Sequence, residues 1–344
     1  MSNDLGSKAQ NVRLDWIDAI KGICIISVVI YHVTLGLHDS GILEGSNLLD
    51  VFWVYITAVA TPPFFIVSGF FIKKSLEKHG YFKFLCNSVH FILLPYALWS
   101  IIQVMAKMVF FEYVNKEAEF DLLNLLVFQP TGQFWFLQAL FIGQILFILI
   151  HKFYNQHYFL LFVFTALVSL CLYHDQTFSQ DIRGLALLLL GAFAYETKAH
   201  TRLKGPITNL LCLFFFVISG TVYYYYLVPM GLQSASNIIG GIASTILLSN
   251  LFMSTRGSKI LAYLGKYSMY IFVFHLLCLV PFRVLLKKLS IVDPVLTTIT
   301  CTLAGVFLPL LGALILEKLR ISQYLGFRHV GAFDTKPHEA NLRS

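Results

Sequence analysis

Charge is what this sequence has least of. Aspartate, glutamate, lysine and arginine make up 12% of its 344 residues, where a soluble domain carries about 25%. So few charges cannot clothe a water-facing surface. With 57% hydrophobic residues and a mean hydropathy of +0.73, a soluble enzyme, a disordered chain and a fibrous repeat are excluded. The six cysteines lie far apart with no C-x-x-C pair, so neither a disulfide framework nor a zinc site is expected. Most sit in apolar blocks, where cysteine behaves as a small hydrophobe. No strand-like alternation runs through those blocks, which leaves helices to satisfy the backbone in lipid. The polar start, 1–16, is not followed by a small-residue cleavage site, and the block behind it is long enough to remain as a spanning helix.

What the sequence has in abundance is apolar length. A crossing needs about 20 mostly apolar residues, and ten such stretches occur, near 19–37, 50–72, 89–111, 134–151, 157–173, 182–196, 208–228, 235–254, 266–285 and 293–316. The expected fold is an all-α, polytopic membrane bundle, with one membrane domain over 13–320 and polar tails at 1–12 and 321–344. The segment 119–128 is apolar but short, and reads as an interfacial or re-entrant helix. The surplus of 25 Lys and Arg over 18 acids reflects sidedness rather than nucleic-acid binding. With both ends in the cytoplasm, 19 cationic residues fall inside and 6 outside, as the positive-inside rule requires. The stretch 283–288, with Arg283, Lys287 and Lys288, runs against the rule and reads as an outer-surface segment or a basic substrate contact.

Ionisable residues within spans are costly and mark function more often than not. The first span carries Asp18, Lys21 and His32. Eleven helical steps take Lys21 to His32, so the two share a face to within about 20° and stand about 16 Å apart along the axis. Asp18 lies within about 60° of both. The blander reading is a snorkelling i,i+3 pair and an imidazole bonded to a neighbouring helix. In the second span, Pro62 and Pro63 precede Ser68-Gly69; prolines there break the helix and free backbone groups, or else kink a packing helix. Gln133 and Trp135 open the fourth span, Trp135 as an interface anchor and Gln133 as a group able to bond a sugar. Tyr270 and His275 fall in the ninth.

The string Asp18-Ala19-Ile20-Lys21-Gly22 followed by His32 resembles the first-helix signature of the acyltransferase-3 family. Further landmarks follow in the family's order: Pro63-Phe64-Phe65-Ile66-Val67-Ser68-Gly69, Pro95-Tyr96, Phe134-Trp135-Phe136-Leu137, and Tyr267-Ser268-Met269-Tyr270 before His275. The resemblance covers about 13–316 and is closest to single-domain members that acetylate fucose or the enterobacterial common antigen. It implies a multi-pass, mostly bacterial, inner-membrane O-acetyltransferase that moves an acetyl group from acetyl-CoA to a cell-surface polysaccharide or lipid-linked sugar, with no bound cofactor. Members often carry an arginine pair just before the Pro-Tyr of the third span. Here none is present, so Lys83 and His90, with Lys73 and Lys74, would replace it.

Acetyl-CoA is phosphorylated and cytoplasmic, so a basic inner rim of Lys21, Lys73, Lys74, Lys83 and His90 suits its head group. His32 would deprotonate the acceptor hydroxyl or carry the acetyl group itself, and Asp18 would orient Lys21. Backbone donors near Ser68 and Gly69 would face the oxyanion, and Gln133, Trp135, Tyr270 and His275 would position substrate. The rival readings are a transporter or flippase of lipid-linked sugars, with Asp18, Lys21 and His32 as a proton relay, and a membrane scaffold without chemistry.

Overall fold

A computed structural model describes residues 3–41, 43, 47–110, 121–154, 157–172, 176–225, 230–254, 259–291 and 293–330. Among these residues all regular structure is helical: α1 (Asn3–Asp39), α2 (Asn47–Ala60), α3 (Pro62–Ser88), α4 (Leu94–Val109), α5 (Trp135–Tyr154), α6 (Tyr158–Cys171), α7 (Gln176–Glu196), α8 (Ala199–Arg202), α9 (Pro206–Tyr225), α10 (Met230–Ser254), α11 (Lys259–Lys266), α12 (Ser268–Lys288) and α13 (Pro294–Lys318), with short π and 3-10 turns.

All ten expected stretches are helical over most of their described length. Six segments are long and apolar enough to cross a membrane: Trp16–Asp39, Val51–Val109, Gly132–Phe153, Ala235–Phe252, Ser268–Lys288 and Pro294–Lys318. Val51–Val109, at 59 residues, is broken by a kink at Gly80, whose φ of 77° suits a residue without a Cβ. The apolar helices Tyr158–Cys171 and Pro206–Val222 are shorter. Large apolar side chains such as Phe164, Leu210, Phe307 and Leu311 point outward, as they do where lipid is the solvent. The protein is a polytopic all-α membrane protein.

Prolines sit where a helix tolerates them. Pro62 and Pro63 occupy the first turn of α3, where a missing N–H costs nothing. The break expected around them falls at Thr61, and α3 then runs with helical torsions through Ser68 and Gly69 to Gly80. Ahead of Pro95, residues Val89–Leu93 widen into a π turn, the usual response when a helical N–H is lost.

Helix α1 lies at the centre and touches α2, α3, α10, α11, α12 and α13. It runs parallel to α12, where His32 adjoins His275 and Gly36 meets Arg283, and antiparallel to α11, where Asp18 meets Gly265 and Gly22 meets Leu261. Helices α3 and α7 approach more closely than side chains allow. A Cβ on Gly69 would collide with the Leu188 carbonyl, and one on Gly191 with that of Ile66. Such small-residue contacts replace the hydrophobic drive that lipid does not supply.

Both expected tails are partly ordered. Helix α1 begins at Asn3. Beyond α13, the 3-10 turn Ser322–Leu325 leads into a strap, 326–330, that folds back on the bundle. Phe327 is 1% exposed and stacks on Tyr270 at 4.2 Å, with Phe274 at 5.9 Å and Trp99 at 6.1 Å. An aromatic residue in a polar tail finds a hollow to fill, and the burial of so large a ring outweighs the cost of ordering the strap.

Candidate functional site

Two imidazoles meet in the middle of the bundle. The His32 and His275 rings lie 5.1 Å apart, tilted by 43°. His275 is fully buried. Its Nδ1 lies 2.7 Å from the Phe272 carbonyl and 3.1 Å from that of Ile271. Carbonyls only accept, so Nδ1 carries the proton and Nε2 is left as a bare lone pair. That Nε2 is buried with no hydrogen-bond partner among the described residues. His32 is half-buried. An imidazole with one nitrogen fixed as donor beside a second, reachable imidazole is an arrangement suited to taking and returning a proton.

Aromatic rings and amides surround the pair. Phe272, one turn below His275, contacts Phe136 at 5.5 Å and Phe134 at 6.3 Å. Phe136 in turn meets Phe65 at 4.8 Å and Phe64 at 5.7 Å. Trp135, edge-on to Phe136 at 6.2 Å, stands beside this collar at the start of the apolar segment Gly132–Phe153. Of the expected segment 119–128, residues 121–128 are described; Tyr96 donates to the Leu125 and Leu126 carbonyls at 3.0 and 3.2 Å, and Gln138 to that of Val127 at 2.8 Å. Gln133 and Gln103 then exchange hydrogen bonds of 2.9 and 3.2 Å, both side chains buried. Gly132 lies beside Leu276, the neighbour of His275. Gln133 is thus held by Gln103, a partner that its presence in the third span could have suggested.

Lys21 and Asp18 form the expected pair, 3.2 Å apart, at the Trp16 end of α1. Lys21 also stands 5.5 Å above the Phe71 ring. Asp18 is fourteen residues from His32, about 21 Å along the helix, so it touches the lysine and not the imidazoles. Phe64, Ser68 and Phe71 recur at i, i+4 and i+7 on α3, one stripe of the helix, and all three are half-buried. The stripe leads from Lys21 to the collar beside His275. Because α3 is unbroken there, the Ser68 and Gly69 N–H groups belong to the helix, and Gly69 faces Leu188 of α7. The expected backbone oxyanion donors are therefore not available; the Ser68 hydroxyl remains.

The basic rim divides. Lys74, Lys83 and His90 are exposed. Lys73 is 6% exposed, ion-paired with Glu196 and 4.9 Å above the Tyr158 ring, whose hydroxyl meets His151. Lys73 therefore ties α3 to α6 and α7. Lys73→Met is expected to lower stability by about 1–3 kcal/mol, less than the ~3–5 kcal/mol of a fully buried pair because Glu196 is 31% exposed; thermal unfolding in detergent measures it, with the acyl-donor KM unchanged. Tyr270 is likewise occupied, its hydroxyl 3.3 Å from Glu317 and its ring under Phe327. Glu317 also accepts from the Val330 N–H at 2.9 Å. The strap brings an unforeseen cation to the stretch that lacks the arginine pair: the Arg328 guanidinium stands 4.7 Å over Phe91, whose ring lies edge-on to His90 at 4.7 Å. Nothing in the local sequence links residues so far apart.

The family profile described as an acyltransferase domain matches residues 14–318. Comparison with curated proteins and with solved structures finds no match, so the likeness to fucose and common-antigen acetylases rests on the sequence strings alone. The profile spans every element that brings Lys21, Ser68, His32 and His275 together, and the chain belongs to the acyltransferase-3 family of integral-membrane acyltransferases.

Proposed function

We propose that this acyltransferase moves an acetyl group from cytoplasmic acetyl-CoA to a hydroxyl of a cell-surface polysaccharide or lipid-linked sugar, across a bacterial inner membrane with both termini in the cytoplasm. The observation that carries this reading is the buried pair of His32 and His275 at the head of a half-open stripe that starts at Lys21. The head group of the donor docks at Lys21, on the Trp16 side of the first span, and the basic groups Lys74, Lys83, His90 and Arg328 add to the field that draws it in. The pantetheine arm follows Phe71, Ser68 and Phe64 to the imidazoles. The acceptor arrives from the Asp39 end, where Gln133 and Trp135 bound the space beside Gly132.

In this reading the bare Nε2 of His275 accepts the N–H of His32 and selects its tautomer, leaving the second His32 nitrogen as the base. His32 removes the proton of the acceptor hydroxyl as its oxygen attacks the thioester carbonyl. The tetrahedral intermediate collapses, the carbon–sulfur bond breaks, and the CoA thiolate takes the proton back from His32. Asp18 acts on Lys21 and takes no part in the proton transfer.

Transfer of labelled acetyl from acetyl-CoA to glycan in membranes carrying the protein tests the reaction; absence of transfer with a fully inserted protein overturns it. Lys21→Ala is expected to raise the KM for acetyl-CoA about tenfold or more, since a charge-assisted hydrogen bond is worth ~1.5–3 kcal/mol. The acceptor dependence should stay as it is. Lys21→Arg should be tolerated at a wet rim, and Asp18→Asn should reproduce part of the loss. Normal donor KM in both Lys21→Ala and Asp18→Asn would move the donor's head group to Arg328 and His90.

A further inference from the structure

The seam between α1 and α12 carries a further layer beyond the imidazoles. Arg283, expected in an outer-surface segment or as a basic substrate contact, lies within α12, which continues to Lys288, and is 8% exposed. Its guanidinium rests on Gly36 of α1: Nη1 occupies the space where a Cβ of residue 36 would stand, and Cζ is 3.4 Å from that point. Gly36 is one turn beyond His32, about 6 Å along the axis. Helical side chains lean toward the N-terminus of their own helix, and the N-terminus of α12 lies on the His275 side. Arg283, two turns beyond His275, therefore leans back toward the pair.

An arginine at this depth stays charged and is costly to keep. Asp39 and Cys301 lie close enough to act on it electrostatically. A neutral glycan hydroxyl gives no reason for a cation here, whereas acyl transfer builds negative charge on one oxygen. The α3 backbone does not meet that charge, because its N–H groups near Ser68 are spent in the helix.

We propose that the Arg283 guanidinium polarises the carbonyl of the acyl donor and holds the negative charge that develops on its oxygen. This rests on the acetyl-transfer reading above. As the acceptor oxygen bonds to the carbonyl carbon, the C=O electron pair moves onto oxygen and is met by the guanidinium. When the pair returns, the thiolate leaves and Arg283 keeps its protons throughout. Gly36 is needed because any side chain there displaces the guanidinium.

The test uses the full chain in lipid nanodiscs with acetyl-CoA, following glycan acetylation and the slow acceptor-free hydrolysis of acetyl-CoA. Arg283→Gln is expected to lower kcat by about 10²–10³-fold, the usual loss for an oxyanion donor, with donor and acceptor KM within about threefold and hydrolysis falling in parallel. Arg283→Lys should recover part of the rate. Gly36→Ala should lower kcat at least about tenfold without removing the charge, and it decides the matter where Arg283→Gln does not accumulate. A kcat within about threefold of wild type in either Arg283→Gln or Gly36→Ala overturns the role. So does a loss confined to acceptor KM, which would mark an anionic acceptor, or an equal loss in Asp39→Asn, which would mark a structural ion pair. A wild type that turns over no acetyl-CoA overturns both readings; an active wild type with an indifferent Arg283→Gln overturns this one alone.

Discussion

Replacing His32 by alanine is expected to lower acetyl transfer about 10²–10⁴-fold, the range for losing a general base, while the protein stays inserted and abundant. Both halves follow from the geometry. His32 is half-buried and makes no hydrogen bond to other described residues, so its removal deletes little packing and strands no partner beyond the already bare Nε2 of His275. His275 stands beside it, but that ring is fully buried with its Nδ1 bonded to its own helix, so it is not placed to take the acceptor's proton in its stead. His275→Ala should cost activity and stability together, because that ring is fully enclosed and bonded to its own helix. Labelled transfer in membranes, normalised to protein by immunoblot, separates the two. Retention of more than about a tenth of wild-type rate in His32→Ala would be too much for a missing base.

The largest structural effect is expected at the α3–α7 contact. Gly191→Val places methyl groups against backbone, not against movable side chains: a Cβ there overlaps the Ile66 carbonyl oxygen and stands 2.9 Å from Ile66 C and Phe70 N. Backbone within two helices cannot rotate aside, so the pair must separate, taking the reciprocal Gly69–Leu188 contact and the Lys73–Glu196 tie with it. The cost should exceed the ~1–3 kcal/mol of ordinary overpacking. Thermal unfolding and size-exclusion profiles in detergent check it, with Gly312→Val as control, since a Cβ at residue 312 has nothing within 4 Å. A monodisperse Gly191→Val protein with wild-type melting would mean that α3 and α7 can part freely.

Much of the architecture was legible because apolar length and the 3.6-residue repeat are local properties. Lys21 and His32 lie on a single helix, so their shared face followed from arithmetic. What could not be read was anything set by contacts between distant segments. His32 and His275 were each recognisable as buried imidazoles, but 243 positions separate them, and only the packing of α1 on α12 makes them a pair. Lys73 looked like its neighbour Lys74; which of the two turns inward depends on Glu196. Ser68-Gly69 after two prolines suggested open backbone, yet the prolines fell in the first turn of α3, where they do no damage. Arg283 broke the positive-inside pattern, and that conflict with a rule was itself the signal.

The strap has a consequence for how the enzyme is made. Helices can enter the bilayer one after another as the ribosome delivers them, and α1 to α13 complete the matched domain at residue 318. The hollow among Trp99, Tyr270 and Phe274 is closed only when Phe327 emerges and stacks in it. Phe274 directly precedes His275, so the floor beneath the two imidazoles is laid by residues made after the helices of the matched domain. A chain stopped after α13 would hold both imidazoles and the helices that carry them, and still leave that floor open.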